Sequence, residues 1–581
     1  MTTHEFPDLR AHIADLFNAA RAAVAPAHGD VVAVVERPKQ AQHGDYACNV
    51  AMQLAKPLRR NPREIANAII AALPPSPYVA KTEIAGAGFI NVFLKPAIKR
   101  AIVPHVLNRG AAFGYAATNS AVKIQVEFVS SNPTGPLHVG HGRGAAFGAS
   151  LANVLSAAGL DVQREYYVND AGRQMDILAL STWLRYLEIC GANIPFPPNA
   201  YQGDYVKTMA RALFERDGKR YVRDAAELVA GLPQGTDVAE ATLDQLIANA
   251  RRLLGPDYAA IHRYALTTQL DDCREDLAEF GVSFDCWYSE QSLFDSGKIA
   301  KAVARLEAAG HLYEKDGATW FRSTSFGDEK DRVLRRENGQ YTYFASDIAY
   351  HLDKIERGFA RIIDVWGADH HGYIPRVKGA LAALGADPDQ LTVAMVQFAV
   401  LYRGGEKVSM STRAGEFVTL RELRREVGND AARFFYVLRK SDQHLDFDLD
   451  LAKSQSNDNP VYYVQYAHAR VCSVLDQWGA DPASLVDADP SPLMEEPEAA
   501  LLSRIAEYPI VIENAARELS PHLIAFYLRE LAAEFHSYYN GTRLLVPEEP
   551  IKRARLALAV AVRHVLRNGL ALLGVSAPEK M

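Results

Sequence analysis

One stretch limits the possible fold more than any other. An apolar, strand-like run from Ile124 to Val129 leads into a breaker-rich turn from Ser130 to Pro136, and a small-residue helical stretch follows from Gly144 to Leu160. A strand, a Gly/Pro turn and a helix N-terminus together attract anions, because the first backbone N–H groups of a helix lack intrahelical partners and its dipole is positive there. Between turn and helix stands His138-Val139-Gly140-His141. Two imidazoles add hydrogen-bond donors for a polyphosphate, and the glycine lets a flat base lie close to the backbone. In isolation a His-x-Gly-His is as readily an ordinary helix start, so its flanks decide.

At 581 residues the chain is too long for one core, and roughly three or four domains are expected. Hydrophobic content of 49% and charged content of 23% are those of a soluble globular protein. Met1-Thr2-Thr3-His4-Glu5-Phe6 shows no basic-then-apolar signal pattern. The apolar run Leu556 to Val562 is too short to span a bilayer, so no membrane partner is expected. Cys48, Cys190, Cys273, Cys286 and Cys472 form no Cys-x-x-Cys pair, which argues against a structural zinc or a disulfide framework and for a reducing cytoplasm. A net charge of −7 leaves an RNA partner open, because binding needs local cations rather than a positive total.

Residues 1–115 read as an α+β module. Helical spacing runs through Leu9, Ile13, Leu16 and Phe17 and again through Val50, Leu54, Ile65 and Ile69; Gly86 to Leu94 predicts a turn feeding an edge strand, and Asn108 to Ser120 a linker. Residues 116–450 alternate strand and helix: a strand over 124–130, a helix over 144–158, a strand from Val162 to Val168. This pattern opens a Rossmann-like, doubly wound α/β domain, with ligands at the carboxyl ends of its strands. Residues 185–275 interrupt it as an inserted connective segment. The pattern resumes with a helix from Tyr343 to Gly358 and strands from Arg361 to Trp366 and Leu391 to Tyr402. Over 451–581 only helical periodicity remains, which predicts an all-α bundle suited to recognition.

Three blocks now carry a resemblance. Val126 to Gly144, including Asn132-Pro133-Thr134-Gly135-Pro136-Leu137-His138-Val139-Gly140-His141-Gly142, is similar to the HIGH region of class I aminoacyl-tRNA synthetases, and among them of arginyl-tRNA synthetases. Tyr166 to Gln174 resembles the block that follows it, and Asn459 to Arg470 the start of that family's helical anticodon-binding domain. The resemblance covers nearly the whole chain and implies an arginine–tRNA ligase. Arginine's carboxylate would attack the ATP α-phosphate, pyrophosphate would leave, and a 3′-terminal hydroxyl of tRNA(Arg) would capture the adenylate, with bound tRNA needed for the first step. ATP, accompanied by Mg2+, L-arginine and tRNA(Arg) are the implied partners, the N-terminal module would touch tRNA, and a monomer is expected.

The resemblance places ATP along Asn132 to Gly142, with Gly367 and Asp369 near the ribose and Met410 and Ser411 on a second loop. His138 and His141 would stabilise charge on the reacting phosphate, and Gly140 would admit adenine. Glu127 and Asn132 match positions that hold the α-amino and carboxylate groups of the amino acid. A guanidinium calls for a carboxylate with a neighbouring acceptor; Tyr343 and Asp347 supply both on one helix face and match the family's side-chain contacts. Asp369-His370-His371 invites a metal hypothesis, but consecutive residues at a strand end point apart, and no protein-bound metal is expected.

The second signature of class I enzymes, Lys-Met-Ser-Lys-Ser, is altered. The loop reads Gly404-Gly405-Glu406-Lys407-Val408-Ser409-Met410-Ser411-Thr412-Arg413-Ala414-Gly415, and no alignment keeps both lysines. Gly135 stands where some members place a compensating lysine. Lys407 and Arg413 are the candidates for the pyrophosphate role. A synthetase for another amino acid and a non-catalytic relative that binds tRNA or senses arginine are the alternatives. Tyr343 and Asp347 weigh against the first, and the intact histidine pair against the second.

Overall fold

The computed structural model describes residues 6–38, 40–116, 122–233, 235, 238–408 and 417–581. Its centre is a sheet of five parallel strands: Lys123–Glu127, Asp161–Val168, Cys286–Ser289, Arg361–Gly367 and Leu391–Val396. The 123–127 strand lies in the middle, between 161–168 and 361–367; 286–289 closes one edge and 391–396 the other. This is the doubly wound order that the β–α–β alternation predicts. Its direction of winding reverses between the 123–127 and 361–367 strands, and the crevice beyond their carboxyl ends is where such sheets bind ligands. The last four residues of the 123–127 strand are buried, as expected for a strand covered on both faces.

The helix after the first strand, Val139–Ala157, is buried on nearly every side. Small residues allow this: a side chain at Gly148 would meet the Phe128 ring at 2.3 Å. Its outer face carries the C-terminal bundle, made of Pro460–Trp478, Glu496–Arg517, His522–Gly541 and Glu549–Leu572. The last carbonyls of the final helix, which lack helical partners, accept from Asn153 Nδ2 (3.0 Å to Leu572) and from the buried Arg433 Nε (2.9 Å to Leu573). Bundle and nucleotide fold therefore share one hydrophobic core.

Several expectations are corrected. The signature helix begins at Val139 rather than Gly144, because the two histidines cap it. The predicted strand from Leu391 to Tyr402 is two: 391–396 belongs to the main sheet, while Ala399–Arg403 leaves it and pairs with Glu406–Lys407 and Leu445–Asp448. The Phe89–Leu94 strand is internal, paired on both sides by Tyr46–Cys48 and Val79–Ala85, not an edge. Part of the predicted linker is ordered: Ile102–Arg109 is helical, and Phe113 is buried against the bundle. Two elements escaped the sequence: the short edge strand 286–289 and an antiparallel sheet formed by Leu312–Lys315, Ala318–Phe321 and Arg332–Arg335. Within the inserted segment the helices Asp204–Asp217 and Ala239–Leu254 build a separate core around Trp183 and Tyr221.

Candidate active site

His138 is the N-cap of the signature helix, and its side chain closes the helix start. Gly140 N–H donates to His138 Nδ1 at 3.1 Å, and His138 N–H donates to His141 Nδ1 at 3.2 Å, a reciprocal cap built from imidazoles. Because both Nδ1 atoms accept, each neutral ring carries its proton on Nε2. His141 spends that donor on Ser131 Oγ at 3.1 Å, whereas His138 Nε2 has no protein partner among the described residues and faces the crevice as a donor. The rings stack at 3.7 Å. Burial, and then the neighbouring His138, push His141 down to about 3, and burial lowers His138 too, so both rings favour the uncharged form. A side chain at Gly140 would strike the His138 ring at 2.8 Å and approach Phe398 to 3.4 Å. The glycine first makes room for the histidine. Phe398 follows the last sheet strand with half its surface exposed (51%) and offers a flat apolar face beside this turn.

The turn that leads to the histidines is strained and tightly held. Val129 has φ 68°, Ser130 has φ 40°, and Ser130 N–H donates back to the Phe128 carbonyl at 3.0 Å. A β-branched residue in the left-handed region is costly, and such strain persists only where neighbours impose it. Here Ser130 Oγ donates to Glu127 at 2.8 Å while accepting from Tyr167 N–H at 3.0 Å, and Tyr166 donates to the Ser131 carbonyl at 2.8 Å. Asn132 is exposed and accepts from Asn169 Nδ2 at 3.0 Å. Pro133, Leu137 and Val139 are buried, so they can offer a nucleotide only backbone groups. Gly142 turns toward Leu420 and Tyr436. Gly135 sits beneath the Tyr205 ring of the inserted segment, whose hydroxyl donates to the Thr134 carbonyl at 2.6 Å.

Beyond the ends of the 161–168 and 286–289 strands lies a cluster of acids, Asp170, Glu290 and Asp347. Glu290 is buried (3% exposed), and its Oε2 has no hydrogen-bond partner among the described residues. Burial and then the neighbouring charge of Asp347 push its carboxyl up to about 7, against the favourable hydroxyl of Ser346. Asp347, half-buried on the Tyr343–Glu356 helix, accepts from the Tyr373 hydroxyl and is raised by burial. Neither carboxylate has an ion-pair partner among the described residues. Asp170 fixes the geometry: it accepts from Ser289 Oγ at 2.6 Å and Gln291 N–H at 2.8 Å, tying together the two turns that flank Glu290. Tyr343 is exposed, its hydroxyl near Gly172. A buried acid beside a half-buried one, with no ion-pair partner for either, is costly unless a cation is the ligand. Tyr343 and Asp347 lie one turn apart on the 343–356 helix as their spacing predicts, and Glu290, which the sequence reading did not single out, is brought near Asp347 by strand pairing.

Glu127, at the end of the middle strand, is buried and accepts from Lys354 Nζ as well as Ser130. Gly367 ends the adjacent strand, and Asp369 and His370 stand exposed just beyond it, 3.6 Å apart. No group of three or more metal-ligating side chains occurs among the described residues. Lys407 is exposed on the 399–407 hairpin; Met410, Ser411 and Arg413 lie outside the described residues. The returning chain is anchored at the signature turn: Val139 N–H donates to the Val418 carbonyl at 3.1 Å, Leu420 N–H to the Leu137 carbonyl at 2.8 Å, and the Phe417 ring lies 5.8 Å from His138. The second loop thus ends beside the histidines.

The chain matches three family models in succession: the arginyl tRNA synthetase N terminal domain over residues 9–94, the class I (R) tRNA synthetase catalytic domain over 102–192 and 261–445, and the DALR anticodon binding domain over 464–581. An arginine–tRNA ligase of Azoarcus sp. (strain BH72) is 66% identical over 99% of this chain and 100% of its own length. One from Nitrosospira multiformis is also 66% identical, over 99% of both chains. Among solved structures, a putative arginyl-tRNA synthetase from Campylobacter jejuni superposes with a TM-score of 0.74 at 32% identity, over 84% of this chain and all of that one. The Thermus thermophilus arginyl-tRNA synthetase shares the fold, with a TM-score of 0.74 at 24% identity over 99% of this chain and all of that one. The capped histidine turn, the acidic cluster and these full-length matches converge: the chain belongs to the arginyl-tRNA synthetase family.

Proposed function

We infer that the crevice activates L-arginine with ATP and passes it to tRNA(Arg), the arginine–tRNA ligase activity of the family, with the roles set out below. The observation that most favours arginine is the pairing of the buried Glu290 with the half-buried Asp347, neither of which has an ion-pair partner among the described residues. A guanidinium between them supplies charge and paired donors at once, whereas a lysine ammonium offers no planar fork. Glu127 and Asn132, at the near side of the crevice, take the α-amino and carboxylate ends. An oxygen of the substrate carboxylate attacks the α-phosphorus, the bond from that phosphorus to the bridging oxygen breaks, and pyrophosphate leaves with the electron pair. His138 Nε2–H donates to phosphate oxygens as negative charge grows there, and the positive end of the signature-helix dipole favours that charge. Phe398 and Gly140 border the adenine, and Gly367 and Asp369 the ribose. Mg2+ enters with ATP as part of the substrate.

Lys407 and Arg413 share the departing pyrophosphate in place of the missing signature lysines. Residues 1–115 touch the tRNA body, 116–450 hold the catalytic fold and 451–581 read the anticodon; the enzyme acts as a cytoplasmic monomer. The test is arginine-dependent pyrophosphate exchange with and without tRNA(Arg). Exchange with arginine supports these roles, dependence on tRNA supports coupling to the bundle, and exchange driven by another amino acid would overturn the site assignment.

A further inference from the structure

Behind the substrate-facing carboxylates lies a second set of charges that no step above uses. Lys354 has no exposed surface, and its Nζ donates to Glu127 and, at 2.7 Å, to Asp364 Oδ1. Asp364 is equally buried within the 361–367 strand, and its Oδ2 meets His351 Nε2 at 2.8 Å. The other ring nitrogen of His351 meets the Asp347 carbonyl at 2.8 Å. A carbonyl only accepts, and Asp364, held down to about 2 by Lys354 and His351 against its burial, is a carboxylate that only accepts. Lys354 thus lies between two buried carboxylates, Glu127 and Asp364, and offsets their charge.

The same helix is fastened on its far side. Tyr350 Oη donates to Glu165 at 2.6 Å, and Arg357 donates to both oxygens of Glu165 at 2.6 and 2.8 Å. The helix that carries Tyr343 and Asp347 is thereby pinned, through buried polar contacts, to the three strands whose ends form the crevice.

We propose that Lys354, flanked by Asp364 and His351, is the positioning residue of the amino-acid site, setting the register and the negative charge of the Glu127 and Asp347 carboxylates that meet arginine. This rests on the assignment of those two carboxylates to the substrate. The groups that face Lys354 bear on its charge from every side: Glu127 on the first strand, Glu165 on the second, Asp364 on the fourth, and Tyr350 with His351 on its own helix. Lys354 and His351 act on Asp347 in the same sense, both favouring its ionised form.

The test uses the full chain with tRNA(Arg) and measures kcat/KM for arginine from about pH 5.5 to about pH 8.5, with KM for ATP in parallel. Lys354→Met keeps the volume and removes the charge; KM for arginine should rise about tenfold or more, KM for ATP should stay within about twofold, and the acid limb should move up by about one pH unit. Asp364→Asn frees Lys354 to serve Glu127 alone, and the limb should move down. Equal losses in both KM values, or an acid limb unmoved in both variants, would reduce Lys354 to packing and overturn the proposal. Should Lys354→Met fail to fold, Asp364→Asn decides by the same limb. An Asp347→Ala enzyme with unchanged KM for arginine would instead remove the site assignment, a separate failure.

Discussion

The proposed arginine site predicts an affinity that depends on pH, and the size of the effect follows from Glu290. Its carboxyl is pushed up to about 7, first by burial and then by Asp347. A guanidinium needs the ionised form, so below that value binding must first expel a proton. For one such group the apparent dissociation constant scales as one plus the ratio of protonated to ionised enzyme. That factor is about 11 at pH 6 and about 1.1 at pH 8, so affinity should improve about tenfold, or about 1.4 kcal/mol. The substrate's α-amino and guanidinium groups keep their charge over this range, and His141, down at about 3, does not titrate in it. The same shift acts on stability with the opposite sense. A carboxyl raised in the folded state favours folding at low pH, and that favour is lost as pH rises from about 4.5 to about 7; arginine should therefore raise the Tm more at pH 8 than at pH 6. Titration calorimetry in two buffers of different ionisation enthalpy reads both quantities. It should find close to one proton released per arginine at pH 6, almost none at pH 8, and a flat profile for Glu290→Gln. Affinity independent of pH between 6 and 8, or a slope that survives in Glu290→Gln, would refute the assignment.

Four further outcomes are expected. His138→Ala removes the donor that faces the crevice together with a helix cap, and should lower kcat for pyrophosphate exchange by about 10²–10³-fold while calorimetry finds arginine binding little changed. Asp347→Ala should raise KM for arginine far more than KM for ATP, and equal rises would cost it the specificity role. Lys407→Ala and Arg413→Ala should each slow exchange, and the double variant more than either; unchanged exchange in all three would exclude both from the pyrophosphate role. The affinity for tRNA(Arg), followed by filter binding, should fall steeply with salt despite the net charge of −7, and a flat response would contradict a phosphate-dominated interface.

Local chemistry made the histidine turn legible in the sequence, and long-range pairing hid the rest. The strand, turn and helix around His138 announce themselves through apolar runs, breakers and small residues, all within about forty positions. Even there the helix start was misplaced by five residues, because no propensity scale anticipates two imidazoles acting as a reciprocal cap. Tyr343 and Asp347 were visible as one helix face four residues apart. Their partner Glu290 was not, since it follows a four-residue edge strand too short to carry a periodic signal. Lys354 shows the same limit more sharply. On its helix it reads as the basic residue expected near a C-terminus, yet it is fully buried between Glu127, 227 positions earlier, and Asp364, ten later. Its burial follows from topology. A doubly wound sheet places the reversal of winding between the 123–127 and 361–367 strands, whose register sets Glu127 beside Asp364, and a cation must fill the gap between these two buried carboxylates before Glu127 can serve a substrate. In the proposed site the nucleotide half is thus specified by a contiguous motif, whereas the amino-acid half depends on the assembled sheet; substitutions at Asp364 or Lys354 should therefore register in arginine kinetics first.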